Sequence, residues 1–296
     1  MNNTVLSLLA LLSISLLLGG CVASEAQSVQ PGNQTDNQTS GQAANQANAS
    51  SAAQPDQAKS GMKVIGMIGG VSWLSSAEYY TLINERVNQK LGGSHSAKIL
   101  MYSIDFGEVS DDVKAADKGN WTHVREIIMD AAQRLKAGGA DFIIIPSNTM
   151  NYFADDLQQN QSIYVLNIAD ATARKVNESG KKRVALLASK FVMEQDFYRK
   201  KLTDTYGITM VKPNETEQDY INSVIFDELT VGRFRNESRD GIIRIINRMV
   251  NDDGIDGVVL GCTELPMLIK QDDVSVQVYD TTAIHADAAA DYALGK

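Results

Sequence analysis

Two side chains able to hold or pass a proton recur within one local pattern, half a chain apart. Cys262 lies in Gly261-Cys262-Thr263-Glu264, directly after the apolar run Val258–Leu260, and Ser147 follows the apolar run Phe142–Ile145. Gly139, Asp141 and Ser147 line up with Gly254, Asp256 and Cys262 at one constant offset. Each half is therefore expected to present one such group from the end of a buried strand. Two groups facing each other across a cleft can take a proton from one face of a carbon and return it to the other. A carbon acid that weak needs its base held within about 3–3.5 Å and kept from water. A thiol, with a pKa near ~8.5, can be brought into range by a nearby dipole or cation. A serine hydroxyl takes part only if another group activates it. A cysteine taken alone is more often a buried structural residue; the matching serine motif shifts the balance toward chemistry.

The elements that must carry these groups follow from hydrophobic periodicity. Strands are expected at 63–68, 99–103 and 142–145, with helices at about 76–91 and 122–136. The scheme repeats with strands at 183–187, 207–211, 258–260 and 276–279 and helices at 193–206, 219–229, 239–250 and 283–293. Strands alternating with helices of this length imply an α/β protein with parallel sheets flanked by helices. The repeat implies two pseudo-symmetric domains, 62–166 and 167–282, with the closing helix 283–293 packed on the first and the active site in the cleft between them. Ligands of such sheets bind at the carboxyl ends of the strands, where Ser72, Ser147 and Cys262 all fall. Ser147-Asn148-Thr149 suits either a helix N-cap or a substrate contact. His285 is expected in a core or on a helix face, Glu264 as an early-helix acid, and Trp73 and the tyrosines as packing residues.

The net charge of −9 over 296 residues argues against nucleic acid as a partner. Three histidines and no Cys-x-x-Cys argue against a metal site, and Gly66-x-x-Gly69-Gly70 is not the dinucleotide-binding spacing. No cofactor is expected. Residues 1–21 read as a lipoprotein-type signal: Val5–Leu18 is an apolar core, and Leu18-Gly19-Gly20-Cys21 places a lipid on Cys21. Residues 22–61 are rich in Gln, Asn, Ser and Ala and are expected to be a disordered linker. Together these segments imply an exported protein, lipid-anchored to the cell membrane on its extracytoplasmic side. Cys262 is then the one thiol left free.

Several segments, in order and spacing, resemble the aspartate/glutamate racemase family, in its aspartate-racemase-like branch. They are 65–73 (IGMIGGVSW), 103–106 (SIDF), 147–150 (SNTM), 167–170 (NIAD), 193–198 (MEQDFY), 261–264 (GCTE) and 280–285 (DTTAIH). The resemblance covers nearly all of 62–290. It implies a two-domain fold, commonly dimeric, and racemisation of a small amino acid without pyridoxal phosphate, in which two cysteines exchange a proton on opposite faces of Cα. Cys262 matches the second catalytic cysteine, and Ser147 stands where the first would be. Asn148, Thr149 and Met150 match the segment that binds the substrate carboxylate and amine, with Thr263 beside them. Members with threonine in place of Ser147 resemble racemases that process one enantiomer efficiently. Asn151 stands where racemases often have histidine. The resemblance implies that the loop 108–118 grips a side-chain carboxylate, with Lys114 or Lys118 as its cation; Asp227–Thr230, where some aspartate racemases place a lysine, carries no base. Two alternatives stay open: a single-cysteine decarboxylase or isomerase of a small dicarboxylate, as in the related arylmalonate decarboxylases, and a catalytically degenerate ligand-binding lipoprotein.

Overall fold

The computed structural model describes residues 61–115 and 118–296. The signal segment with Cys21 and the linker up to residue 60 lie outside the described residues. In chain order the first half comprises β1 (Ile65–Gly69), α1 (Trp73–Leu91), β2 (Ile99–Ser103), α2 (Ser110–Lys114), α3 (Trp121–Ala137), β3 (Phe142–Ile144), α4 (Ala154–Gln161), β4 (Tyr164–Val165) and α5 (Ile168–Glu178). The second comprises β5 (Arg183–Ala188), α6 (Lys190–Glu194), α7 (Asp196–Arg199), β6 (Thr209–Val211), α8 (Glu215–Asp227), α9 (Asn236–Asp253), β7 (Gly257–Gly261), α10 (Leu265–Leu268), β8 (Gln277–Asp280) and α11 (Thr281–Ala293).

The strands form two four-stranded sheets, ordered β2-β1-β3-β4 and β6-β5-β7-β8, with every pair parallel. The two orders are the same topology written twice, so β3 and β7 occupy equivalent central places. Their apolar runs follow from that location, because a parallel sheet covered on both faces needs apolar side chains on both. Alternation along each strand then feeds two cores. Ile143 joins the α3 side, while Phe142 and Ile144 join the α1 side. Val258 and Leu260 face one core of the second half, and Val259 faces the other.

The halves exchange helices. α11 follows the last strand of the second sheet, yet its Ala286, Ala289, Ala290 and Ala293 pack with Ile65, Met67, Tyr79 and Ile83 of the first half. The alanine face lets α11 lie close to α1. In the other direction, α5 follows β4 of the first sheet but falls within the second domain expected from the sequence, 167–282. It places Ile168, Ala169, Ala173 and Val176 against Val184, Leu186 and Val259 of the second half.

Three expectations need correction. The helix expected over 193–206 is broken at Gln195, whose backbone is extended (φ −74, ψ 147). It continues as α7 and a π-helical turn over Lys200–Asp204, and no Gly or Pro marks the break. Strand β4 and helices α4 and α5 were not anticipated from periodicity. Trp73 is 70% exposed and Tyr80 54%: α1 begins at Trp73 rather than Ser76, which puts both rings on its outer face.

Candidate active site

The chain leaves β3 in a tight turn held by Asn151. Its amide nitrogen donates to the carbonyls of Ile145 (2.8 Å) and Ser147 (2.7 Å), and its amide oxygen accepts the Ile168 N–H (3.0 Å). Ser75, on α1, donates to the Pro146 carbonyl (3.0 Å). Ser147 is thus fixed from both sides. Its Oγ accepts the Met150 N–H (3.3 Å), closing a turn ahead of the 3-10 helix Met150–Phe153, whose cap position is Thr149 and not Ser147; the hydroxyl proton is left free to point elsewhere. The loop after β1 approaches as closely because residue 70 is glycine: φ is +93, and a Cβ there would lie 2.1 Å from the Ile104 carbonyl oxygen.

In the equivalent place after β7, the Cys262 thiol donates to Glu264 Oε2 (3.0 Å), and the Thr263 hydroxyl donates to the same oxygen (2.8 Å). Burial, and then the Glu264 carboxylate, push the Cys262 thiol well above its ordinary pKa, because both disfavour a thiolate. The resting sulfur therefore carries its proton. Glu264 is itself buried, with a partner role beyond that of an early-helix acid.

Ser147 and Cys262 line one cavity of about 320 Å³ between the two halves. Asn148, Thr149, Thr263 and Lys114 line it too; Met150 and Lys118 do not. Met150 is fully buried in the core of the first half, so only its backbone, through the bond to Ser147, serves the site. The Asn148 side chain ties the halves together: its amide nitrogen donates to Thr281 Oγ1 (3.1 Å), and its oxygen accepts the Tyr198 hydroxyl. Thr281 passes the tie on to the Leu260 carbonyl (2.8 Å).

Sequence reasoning missed several lining groups. Ser189 directly follows β5, and its buried Oγ has no hydrogen-bond partner among the described residues; the strand-end rule that found Ser72, Ser147 and Cys262 would have found it. Phe106, Ile225, Phe226 and Val231 also line the cavity, and nothing in their local sequence set them apart from ordinary core residues. His285 does not reach the cavity. It is fully buried, donates from Nε2 to the Leu166 carbonyl (2.8 Å) and accepts the Tyr79 hydroxyl at Nδ1 (3.0 Å), as the core reading anticipated.

Residues 68–289 match the Asp/Glu/Hydantoin racemase family. The chain belongs to this family. A candidate Asp/Glu racemase from Yersinia pestis is 43% identical, with a TM-score of 0.73 over 79% of this chain and 100% of that one. An aspartate racemase homologue from Pyrococcus horikoshii OT3 is 36% identical, with a TM-score of 0.68 over 78% of this chain and 99% of that one. The broad specificity amino-acid racemase RacX of Bacillus subtilis (strain 168) is 25% identical over 126 residues, 42% of this chain. The chain spans about half the length of that curated relative, 53%. Within this chain, the strand-end serine and cysteine follow equivalent strands of the two sheets.

Proposed function

We propose that this protein is a cofactor-independent amino-acid racemase of the aspartate/glutamate type, with Cys262 serving one face of Cα and Ser147 the other. The observation that carries the reading is that the thiol and the hydroxyl, from equivalent strands of two related halves, open on one cavity. Membership of the racemase family supports it.

The chemistry follows from the protonation states. Because the resting thiol is protonated, Glu264 must first take its proton through the existing Sγ–Oε2 contact. The thiolate then removes the Cα proton and becomes a thiol again. The electron pair left on carbon is shared with the α-carboxylate, and a proton returns to the opposite face from Ser147 Oγ or a water that it holds. Solvent replaces that proton and removes the one on Glu264, so one proton leaves carbon and one returns. Ser147 accepts a backbone N–H and has no described base on its hydroxyl, which suits it to give a proton better than to take one. The enantiomer whose Cα–H faces Cys262 is therefore the fast substrate.

Incubation of the full chain with L- and D-amino acids in deuterium oxide tests this. Loss of optical activity with one deuterium at Cα is expected in the wild type and not in Cys262→Ala; racemisation unaffected by that substitution would sink the reading. The raised thiol pKa favours one second reading, a protein that binds the same ligand without turnover. Tight binding indifferent to Cys262→Ala, with no deuterium incorporated, selects it. The proposal includes the place of action: an exported protein anchored by lipid on Cys21. Labelling with a fatty-acid analogue, lost in Cys21→Ala, is the expected result.

A further inference from the structure

We propose that the substrate of this site carries a neutral, apolar side chain, and that Lys114 holds its α-carboxylate rather than a second, side-chain carboxylate. This rests on the racemase reading. Lys114 and Glu264 are the only charged residues among the described ones that line the cavity. A zwitterionic amino acid brings one carboxylate and one ammonium, and the lining answers both. Lys114 meets the carboxylate, while the unpartnered Ser189 hydroxyl and Glu264 are among the groups able to accept from the ammonium.

The rest of the wall is largely apolar from both sides, with Ser72, Ser110 and Thr230 as uncharged hydroxyls among its apolar groups. Val71, Phe106 and Val113 come from the first half, and Ile225, Phe226 and Val231 from the end of α8 and the turn after it. A side-chain carboxylate placed against these groups would lose its water without gaining a cation, and a buried charge without a partner is strongly disfavoured. An aliphatic or thioether side chain in the same space removes apolar surface from water on both partners.

The acidic groups behind the site act in the same direction. Burial, then Asp280 and Glu264, raise the Glu78 carboxyl, so Glu264, which lines the cavity, lies within electrostatic reach of a further carboxyl group that does not. The cation acting on Glu78 and Asp280, Lys270, donates its Nζ to the Pro266 carbonyl (2.5 Å) and does not line the cavity. A substrate with net charge −1 meets repulsion there that a neutral zwitterion does not.

The experiment measures Cα deuterium exchange by the full chain on leucine, methionine, aspartate and glutamate. The expected kcat/KM for leucine or methionine exceeds that for aspartate or glutamate by about 100-fold, the scale of an unpaired buried charge. V231K, which adds a cation to an exposed part of the wall, should move that ratio toward the acidic substrates by about tenfold. Lys114→Ala should lower kcat/KM for all four alike. A preference for aspartate or glutamate, or a Lys114→Ala loss confined to them, overturns the proposal. If none of the four exchanges, the racemase reading fails, and ligand class is decided by protection of Cys262 from iodoacetamide, followed by peptide mass analysis. Protection by leucine or methionine at concentrations at least about tenfold lower than by aspartate or glutamate supports the proposal. Any other order, or no protection by any of them, overturns it.

Discussion

At the residue scale the site turns on the placement of one carboxylate. Glu264 accepts from both the Cys262 thiol and the Thr263 hydroxyl through a single oxygen. Together with burial, the larger cause, it raises the thiol pKa, and in the proposed reaction it receives the thiol proton. The two roles have opposite signatures in Glu264→Gln. Removing the negative charge lowers the thiol pKa toward its ordinary value, so more thiolate is present at a given pH. Alkylation of Cys262 at pH 8 should quicken by about threefold or more. Cα exchange should fall by about tenfold or more, because the proton acceptor is gone. Slower alkylation in the variant would show that Glu264 does not raise the thiol pKa. In the wild type, alkylation should keep rising with pH through a range above that of an ordinary thiol, near ~8.5.

At the element scale, the end of β3 has to be held as firmly as the end of β7 if the two groups are to share one substrate. Asn151 does this with three hydrogen bonds that close the 145–151 turn onto the start of α5. It stands where many relatives are expected to carry histidine, and here it works as a clamp rather than a proton partner. Asn151→Ala leaves the buried Ile168 N–H without its acceptor and removes one of two donors from each of the Ile145 and Ser147 carbonyls, which keep the Ser147 and Asn151 N–H groups, at a cost of about 1–3 kcal/mol. A lower unfolding midpoint in urea is expected. Racemisation should fall more than deuterium exchange from the Cys262 face, because only the Ser147 side moves. Equal loss of both would show that the turn does not position Ser147 selectively.

At the scale of the whole molecule, the cavity exists because each half lends a helix to the other and several contacts cross between them. Trp121 of α3 stacks on Phe191 of α6 with ring centroids 4.3 Å apart, and Asn148 bridges to Thr281 and Tyr198. The α1–α11 contact has its own titratable marker. Burial lowers the His285 pKa from 6.5 to about 4. In the folded state the imidazole stays neutral while the unfolded chain still binds a proton, so stability is full above pH ~6.5 and declines as pH falls toward about 4. The loss amounts to about 3 kcal/mol across that window. Chemical denaturation between pH 7 and 4 should show a shallower decline in His285→Gln than in the wild type; parallel slopes would exclude His285 as the source.

The sequence by itself determined the layered α/β architecture, its internal repetition and the strand ends that carry Ser72, Ser147 and Cys262. Those features are local: apolar runs with helical intervals dictate parallel strands, and the residue after a buried strand must emerge at the carboxyl end of the sheet. It carried further local signals, such as Asn214 and Glu217, which form the capping box that starts α8 at Glu215, four residues ahead of the expected start at Asp219. The break at Gln195 had no such mark in the sequence; the residues on either side of it, Phe191 and Tyr198, meet Trp121 and Asn148 from the other half. Only the tertiary structure decided that Met150 points into a core, that Asn148 spans the cleft, that Glu264 sits against the thiol and that Phe106, Ile225, Phe226 and Val231 wall the cavity. Each of those outcomes depends on groups far apart in the chain, and no spacing along one strand or helix encodes which of them will meet.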